Sequence, residues 1–337
     1  MNGSARLGLV GLGDIGLNYH LPALLRSSRV QLGAIADTSE LRRTAAFEVL
    51  DGHDVPILSD AAGLMSQNLD GIVLATPPWV TPLLAQDALR RGLFVLAEKP
   101  VAVSMGEAQK LGKMPEEWSR KYQLGLTYRH DLAIERLRDA VASEEFGRGP
   151  LLVRASIYDE ALRADDDEHY RRIIDALSHG DPSLHEGAHV FDWIAVILGS
   201  GQGKVIDAWS LSTLPGLPSP NIVGVRLTFS GGTVAIVEFG WLVEVLPPAY
   251  LEVTGQKAQA HLDLATFDLT ITRREGVESL IQERPKMERC FDRQLDLFVD
   301  LVLGVRKTPS VGVQDGVDSL VIASQIAELI AVGDPTR

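Results

Sequence analysis

The stretch from Leu7 to Leu25, LGLVGLGDIGLNYHLPALL, constrains this chain more than any other. The apolar run Leu7-Gly8-Leu9-Val10 predicts a buried strand. Gly11-Leu12-Gly13-Asp14-Ile15-Gly16 follows as a G-x-G-x-x-G turn, and Ile15, Leu17, Leu21, Leu24 and Leu25 then recur at helical spacing. In a strand-turn-helix unit each glycine has a separate mechanical task. Gly11 allows the tight reversal, Gly13 lets a pyrophosphate approach the backbone, and Gly16 lets helix and strand pack closely. The pyrophosphate would sit on the helix N-terminus at Asp14 and Ile15, where unpaired N–H groups and the helix dipole favour negative charge. Taken alone, the motif also admits a glycine-rich loop that binds nothing.

A second predicted strand, Val30 to Ala36, ends on Asp37. This carboxylate falls about 20 residues beyond the last glycine, where an acid would hold both ribose hydroxyls of an adenosine. An Asp there repels a 2′-phosphate, so the expected cofactor is NAD rather than NADP. Thr38, Ser39 and Glu40 follow, with no Arg directly after the acid. The competing reading is that Asp37 caps a helix starting near Thr38.

At 337 residues the chain is expected to form two domains. Its 45% hydrophobic and 23% charged content is that of a soluble globular protein. The formal net charge of −13 argues against nucleic acid or an anionic membrane as partner. Cys290 is the sole cysteine, which excludes an intramolecular disulfide or a cysteine-based zinc site and suits a cytoplasmic location. The first apolar run is interrupted by Asp14 and reads as a strand rather than a signal peptide. No apolar segment reaches transmembrane length.

Strand and helix patterns alternate from Arg6 to about Leu126, as a parallel α/β sheet requires. Further strands are expected at Val55 to Leu58, Leu69 to Ala75, Leu93 to Ala97 and Tyr122 to Leu126. Helices are expected over Val80 to Arg91 and after Ser104, which forms a capping box with Glu107. Leu132 to Val141 reads as a helix and Pro150 to Tyr158 as a strand. Glu160 to Pro182, with its run Asp165-Asp166-Asp167-Glu168, is expected to be a solvated loop. Leu184 to Leu198 reads as one helix. Strands follow at Ser210 to Leu214, Ile222 to Phe229, Thr233 to Trp241, Ala249 to Thr254, Ala258 to Leu264 and Leu269 to Thr272, with connections short enough for an antiparallel sheet. Helices near Cys290 to Leu303 and Gln314 to Ala331 complete the pattern.

Three stretches now line up: Gly11 to Gly16, Glu98-Lys99-Pro100 after the fifth strand, and Glu186-Gly187-Ala188-His189 at a helix start. In that order and spacing, with the Thr76-Pro77-Pro78 turn, the chain resembles the Gfo/Idh/MocA family of NAD(P)-dependent oxidoreductases over its full length. The resemblance implies an α/β plus α+β architecture. Residues 1–126 would form a Rossmann domain with a doubly wound parallel sheet. Residues 127–337 would form a substrate-binding and oligomerisation domain with a mostly antiparallel, open-faced sheet flanked by helices.

The resemblance further implies an NAD-dependent dehydrogenase acting on a secondary alcohol of a sugar, cyclitol or related polyol. Thr76, Pro77, Glu98 and Lys99 would line the cofactor beside Gly11, Gly13, Asp14, Ile15, Gly16 and Asp37. Lys99, at the C-terminal edge of a parallel strand, can polarise the reacting oxygen. The alternative is a surface lysine paired with Glu98. His189 falls where the family's D-x-G-x-H pattern puts its final His, and an imidazole can exchange the hydroxyl proton. Tyr128, Arg129 and His130 would border the substrate, as would the Tyr158 to Asp181 segment. Family sheets often pair face to face, which implies a homo-dimer or homo-tetramer.

Two departures stand out. Thr81 occupies a position where the family often has His, and His185 replaces the family's Asp. A second imidazole can contact a substrate hydroxyl but cannot supply a constant negative charge. Helical spacing would put His185 and His189 on one face, with Asp192 near enough to help orient His189. The replacement also creates His185-Glu186-Gly187-Ala188-His189, an H-E-x-x-H sequence with zinc-hydrolase spacing. That reading leaves the glycine turn, Asp37 and Glu98-Lys99-Pro100 unexplained and lacks a third ligand at a typical spacing. The remaining alternative is a non-catalytic NAD(H)-binding sensor or partner subunit.

Asp37 generates a first prediction. NADH should bind at least about tenfold more tightly than NADPH, a difference of about 1.4 kcal/mol. Cofactor-fluorescence titration measures this, and equal or tighter NADPH binding would remove Asp37 as the discriminating group.

Overall fold

The structure, a computed structural model, describes residues 3–163, 165–201 and 203–333. Met1, Asn2, Ala164 in the expected acidic loop, Gln202 and residues 334–337 lie outside the described residues. The chain divides into two compact units: Met1–Thr127 with Met287–Val317, and Tyr128–Lys286 with Asp318–Arg337. The sequence expectation had one passage between domains, after residue 126. The chain makes three, because residues 287–317 return to the first unit.

The first unit is built on six parallel strands: β1 (Ala5–Val10), β2 (Val30–Ala36), β3 (Ile57–Leu58), β4 (Gly71–Leu74), β5 (Phe94–Glu98) and β6 (Tyr122–Gly125). Their order is β3-β2-β1-β4-β5-β6, so the winding direction reverses between β1 and β4. β1 and β4 are buried almost throughout, as strands covered on both faces must be. Leu7, Leu9, Ile35, Val73 and Leu96 share one core with Leu21 and Leu24 of the first helix. Phe291, Leu295, Phe298 and Val299 from the helix Lys286–Val302 complete it. Complete burial of a side chain such as Phe298 contributes about 1.5–3 kcal/mol. At the surface Arg26 reaches Asp292 and Arg29 reaches Asp300, both at 2.6 Å, which fixes the register of that returning helix.

The second unit carries β7 (Leu152–Ala161), β8 (Lys204–Leu211), β9 (Ile222–Thr228), β10 (Val234–Val243), β11 (Tyr250–Thr254), β12 (Ala258–Asp263), β13 (Leu269–Arg273) and β14 (Gly276–Leu280). They form one sheet in the order β14-β13-β12-β11-β7-β10-β9-β8. All neighbours are antiparallel except β7 and β10. One sheet face presents Val153, Ala155, Val225, Val237, Phe239 and Val253 to Ile134 and Leu137 of the helix Leu132–Ala142 and to Phe191 and Ile194 of the helix Gly187–Leu198. The alternation of buried Val223, Val225 and Leu227 with exposed Arg226 is the period of a strand covered on one side.

Four local expectations change. The acidic run is not a loop throughout, because Asp167–His179 is a helix. Asp166 caps it by accepting the His169 N–H at 2.9 Å, and Asp167 and Glu168 occupy the first turn, where the helix dipole favours acids. Ile173 and Leu177 supply its buried face. The expected helix Leu184–Leu198 divides at Glu186 into Pro182–His185 and Gly187–Leu198. The strand expected at Ser210 to Leu214 is Lys204–Leu211. Beyond it Asn221 holds Thr213, accepting its N–H and donating to its hydroxyl, each at 2.9 Å. β14 has no apolar alternation to reveal it; it pairs with β13 and is anchored by Glu278 between Arg136 and Arg273. Those guanidiniums hold the Glu278 carboxyl down to about 2.

Asp181 begins the helix Pro182–His185, its Oδ1 accepting from the N–H and hydroxyl of Ser183 at 2.8 and 2.6 Å. Burial pushes its carboxyl above the ordinary range, against the Ser183 bonds. A carboxyl raised in the folded state contributes stability below its unfolded value that is lost as pH rises through the folded one. Asp181→Asn keeps a capping acceptor and removes the buried charge. Thermal melting should show Tm raised by about 1–3 °C at pH 7, with the gain fading as pH falls through the raised folded value and gone by about pH 4. A lower Tm at pH 7 would contradict this assignment.

Candidate active site

In the first unit the glycine turn is shaped by contacts that only glycine permits. Gly11 has φ 94°, and a Cβ there would lie 2.3 Å from the Ala75 carbonyl oxygen. A Cβ on Gly16 would lie 2.0 Å from the Gly11 carbonyl oxygen. A Cβ on Gly13 would meet nothing nearer than Arg42 Nη1 at 3.8 Å, so the backbone at this position faces open space. Helical structure begins at Asp14 and Ile15, and Asp14 Oδ1 accepts from Asn18 Nδ2 at 2.7 Å. The open backbone of Gly13 at a helix start is a cradle that fits a pyrophosphate.

Asp37 is buried at the end of β2, and its carboxylate organises this edge. Oδ2 accepts the Leu12 N–H at 2.7 Å, and Oδ1 accepts the Ser39 N–H at 2.8 Å. The following helix, Glu40–Leu50, takes its N-cap from Ser39 rather than from Asp37. A feature absent from the sequence reading appears here. Arg42 Nη1 lies 3.9 Å from Asp37 Oδ2, and Arg43 Nη1 donates to the carbonyls of Asp37 and Thr38 at 2.8 and 3.0 Å. No Arg directly follows the acid in sequence, but the first helical turn brings back one five residues on.

Beyond β4, the Thr76-Pro77 turn is braced by Thr81, which is fully buried. The Thr81 hydroxyl lies 2.9 Å from the Thr76 carbonyl, 3.1 Å from that of Pro77 and 2.7 Å from the Thr76 hydroxyl. At the end of β5, Glu98 Oε1 lies 2.8 Å from His20 Nε2, and Oε2 accepts the Lys99 backbone N–H at 3.3 Å. The Lys99–Pro100 peptide is cis. Gly11 to Gly16, Asp37, Thr76, Pro77, Glu98 and Lys99 thus all lie at the C-terminal edge of one parallel sheet, around its switch point, where doubly wound folds bind ligands.

In the second unit, the 3-10 turn Thr127–His130 sets Tyr128 against His189, with ring centroids 4.7 Å apart. His189 also stacks on Trp193 at 5.8 Å and 19°. Phe267 closes on Tyr128 at 5.4 Å, and Lys286 Nζ lies 4.9 Å from both the Tyr128 and Phe267 rings while donating to the Leu264 carbonyl at 2.6 Å. His189 is therefore held beside Tyr128 and Trp193, and the Lys286 ammonium lies over the Tyr128 and Phe267 rings. Nothing local in the sequence marks Lys286.

Arg129 and Asp192 meet as a two-pronged pair. Arg129 Nε donates to Asp192 Oδ2 at 3.0 Å and Nη2 donates to Oδ1, with Asp192 almost wholly buried. Both have a structural task in addition to the substrate and His189-orienting roles expected of them. His185 and His189 turn to different neighbours. His185 Nε2–H donates to the Ala176 carbonyl at 3.0 Å, and its ring lies 5.2 Å from that of Trp241. Among the described residues no group of three His, Cys, Asp or Glu could hold a metal ion. His185-Glu186-x-x-His189 is thus split across the helix break and has no third ligand among them.

A doubly wound parallel sheet with a glycine cradle at its C-terminal edge defines a Rossmann-type nucleotide-binding unit. Residues 5–126 match the family model GFO_IDH_MocA, described as the oxidoreductase family with an NAD-binding Rossmann fold. It is 29% identical over 238 residues to the rhizopine catabolism protein MocA of Rhizobium meliloti, covering 70% of this chain and 71% of that protein. It is 24% identical over 310 residues to an inositol 2-dehydrogenase of Corynebacterium glutamicum, covering 90% of this chain and 87% of that one. The crystal structure of a myo-inositol 2-dehydrogenase from Lactobacillus plantarum shares the fold, with TM-score 0.81, 19% identity and 98% of each chain covered. No helix among the described residues is long and apolar enough to cross a membrane.

The Arg129–Asp192 pair yields a stability prediction. Removing one partner strands a buried charge, so Asp192→Ala should lose about 3–5 kcal/mol in chemical denaturation. Adding Arg129→Met should restore part of that loss. Strictly additive losses would show that the pair is not coupled.

Proposed function

We propose that this oxidoreductase carries out hydride transfer between NAD(H) and a secondary alcohol or ketone of a sugar, cyclitol or related polyol. The carrying observation is the common sheet edge that presents the Gly13 cradle, Asp37 and the Glu98-Lys99 turn in the order a dinucleotide requires. A bound nicotinamide dinucleotide supplies the hydride acceptor or donor. Gly11, Gly13, Asp14, Ile15 and Gly16 hold its pyrophosphate. Asp37 accepts from the adenosine ribose, and Thr76, Pro77 and Glu98 border the nicotinamide half. The Arg42 guanidinium beside Asp37 opposes a preference for NAD, since it would attract a 2′-phosphate.

Lys99 donates to the substrate oxygen and stabilises the charge that grows there as the hydroxyl proton leaves. His189 takes that proton in oxidation and returns it in reduction. Tyr128, Arg129 and His185 complete the proposed substrate contacts. The Nε2–H bond from His185 to Ala176 limits any substrate contact to the rest of its ring. The inositol dehydrogenases among the relatives support a polyhydroxylated ring as substrate class. The reading includes a cytoplasmic homo-dimer or homo-tetramer joined through the open sheet face. His185 in place of an acid favours one second reading, a cofactor-binding protein without turnover.

Absorbance at the NADH band with a panel of inositols and sugar alcohols separates the two readings. A wild-type protein that binds NADH but turns over none of them supports the second. With an active substrate, Lys99→Ala should lower kcat by about 100- to 1000-fold, and His189→Ala by about 100-fold or more. NADH affinity should change little in either. Lys99→Arg should rescue poorly, because a guanidinium is planar where an ammonium is compact. Near wild-type kcat in Lys99→Ala would remove it from the chemistry.

A further inference from the structure

The glycine turn leads into a wide helical turn, Gly16–His20, in which the Leu21 N–H reaches back five residues to the Gly16 carbonyl. Such π-turns are rare and concentrate at functional sites. This one delivers the His20 ring to Glu98, 78 residues away in the chain, with Nε2 2.8 Å from Oε1. His20 is only 3% exposed. Phe291 backs its ring edge-on at 4.8 Å and stacks on the neighbouring Tyr19 at 5.4 Å.

Glu98 is seated from three sides. His20 meets Oε1, the Lys99 N–H meets Oε2, and Gly125 on β6 leaves the space. A Cβ on Gly125 would stand 3.0 Å from Glu98 Oε1. Both carboxylate oxygens are thereby fixed immediately before Lys99. The adenosine end of a dinucleotide belongs at Asp37 on β2 and its pyrophosphate at Gly13 after β1. The other nucleotide half then runs across the switch point toward β4 and β5, where Glu98 stands.

Resting on the proposed cofactor reading, we infer that His20 is a positioning residue for the nicotinamide half of the site. Its bond to Glu98 ties the cradle helix to the Glu98-Lys99 turn and sets the direction in which Lys99 leaves the sheet. His20 acts through Glu98 and takes no part in proton transfer. Its effect is confined to the end of the cofactor that ADP-ribose lacks.

The test compares NADH with ADP-ribose, each titrated calorimetrically against the full-length protein. His20→Leu keeps bulk and removes the hydrogen bond. It should weaken NADH by about tenfold, the loss of one charge-assisted bond, and leave ADP-ribose within about threefold. His20→Gln, which retains an N–H near the same place, should recover most of the NADH affinity. Glu98→Gln approaches the pair from the other side and should show the same selective loss, without further loss when combined with His20→Leu. An equal loss of both ligands, or no loss of either, would overturn the positioning role. If wild-type protein binds neither ligand, the cofactor reading itself falls, a result distinct from failure of His20 alone.

Discussion

A backbone carbonyl sets the terms for the first unit. The Gly11 oxygen occupies the space that any side chain at position 16 would need, and the Ala75 oxygen does the same for position 11. Strand, turn and helix can therefore approach only as glycine allows. Because they do, the Leu12 N–H reaches Asp37 and the wide turn ending at His20 reaches Glu98. One steric condition at the head of the chain thus brings together carboxylates from two other strands. The open backbone of Gly13 lies between Leu12 and His20 in sequence and at the same sheet edge.

The second unit depends on a different device. Its core is a one-sided sheet, and its candidate chemistry lies where helix ends meet aromatic rings. The Arg129–Asp192 pair fixes the Thr127–His130 turn to the helix that bears His189, so Tyr128 and His189 share one packed nest. Glu186 breaks the preceding helix, so His185 faces Ala176 and Trp241 instead of continuing the His189 face. His185 thus ties down the helix Asp167–His179 through the Ala176 carbonyl.

Much of this was legible in sequence because it is local. The glycine turn, the strand ending on Asp37 and the alternation of β9 each repeat within a few residues, and periodicity reports burial directly. What escaped depends on encounters distant in the chain or on a change of meaning with context. Asp166, Asp167 and Glu168 looked like a solvated charge run, yet acids also cap and complement a helix N-terminus. His20 and Glu98 are 78 residues apart, Arg129 and Asp192 are 63 apart, and neither pair carries a local signal. Arg42 was hidden by a cap, since a helix begins between it and Asp37. The return of residues 287–317 to the first unit was likewise invisible to a pattern that reads one helix at a time.

The central claim is that a dinucleotide lies along the C-terminal edge of the parallel sheet, from Asp37 across Gly13 to Glu98 and Lys99. A crystal structure of the protein grown with NADH tests it most directly. The account predicts the adenosine ribose on the Asp37 carboxylate, the pyrophosphate against the Gly13 backbone and the nicotinamide ring beside Lys99. A dinucleotide ordered elsewhere on the chain, or bound in the reverse direction with its nicotinamide at Asp37, would contradict it.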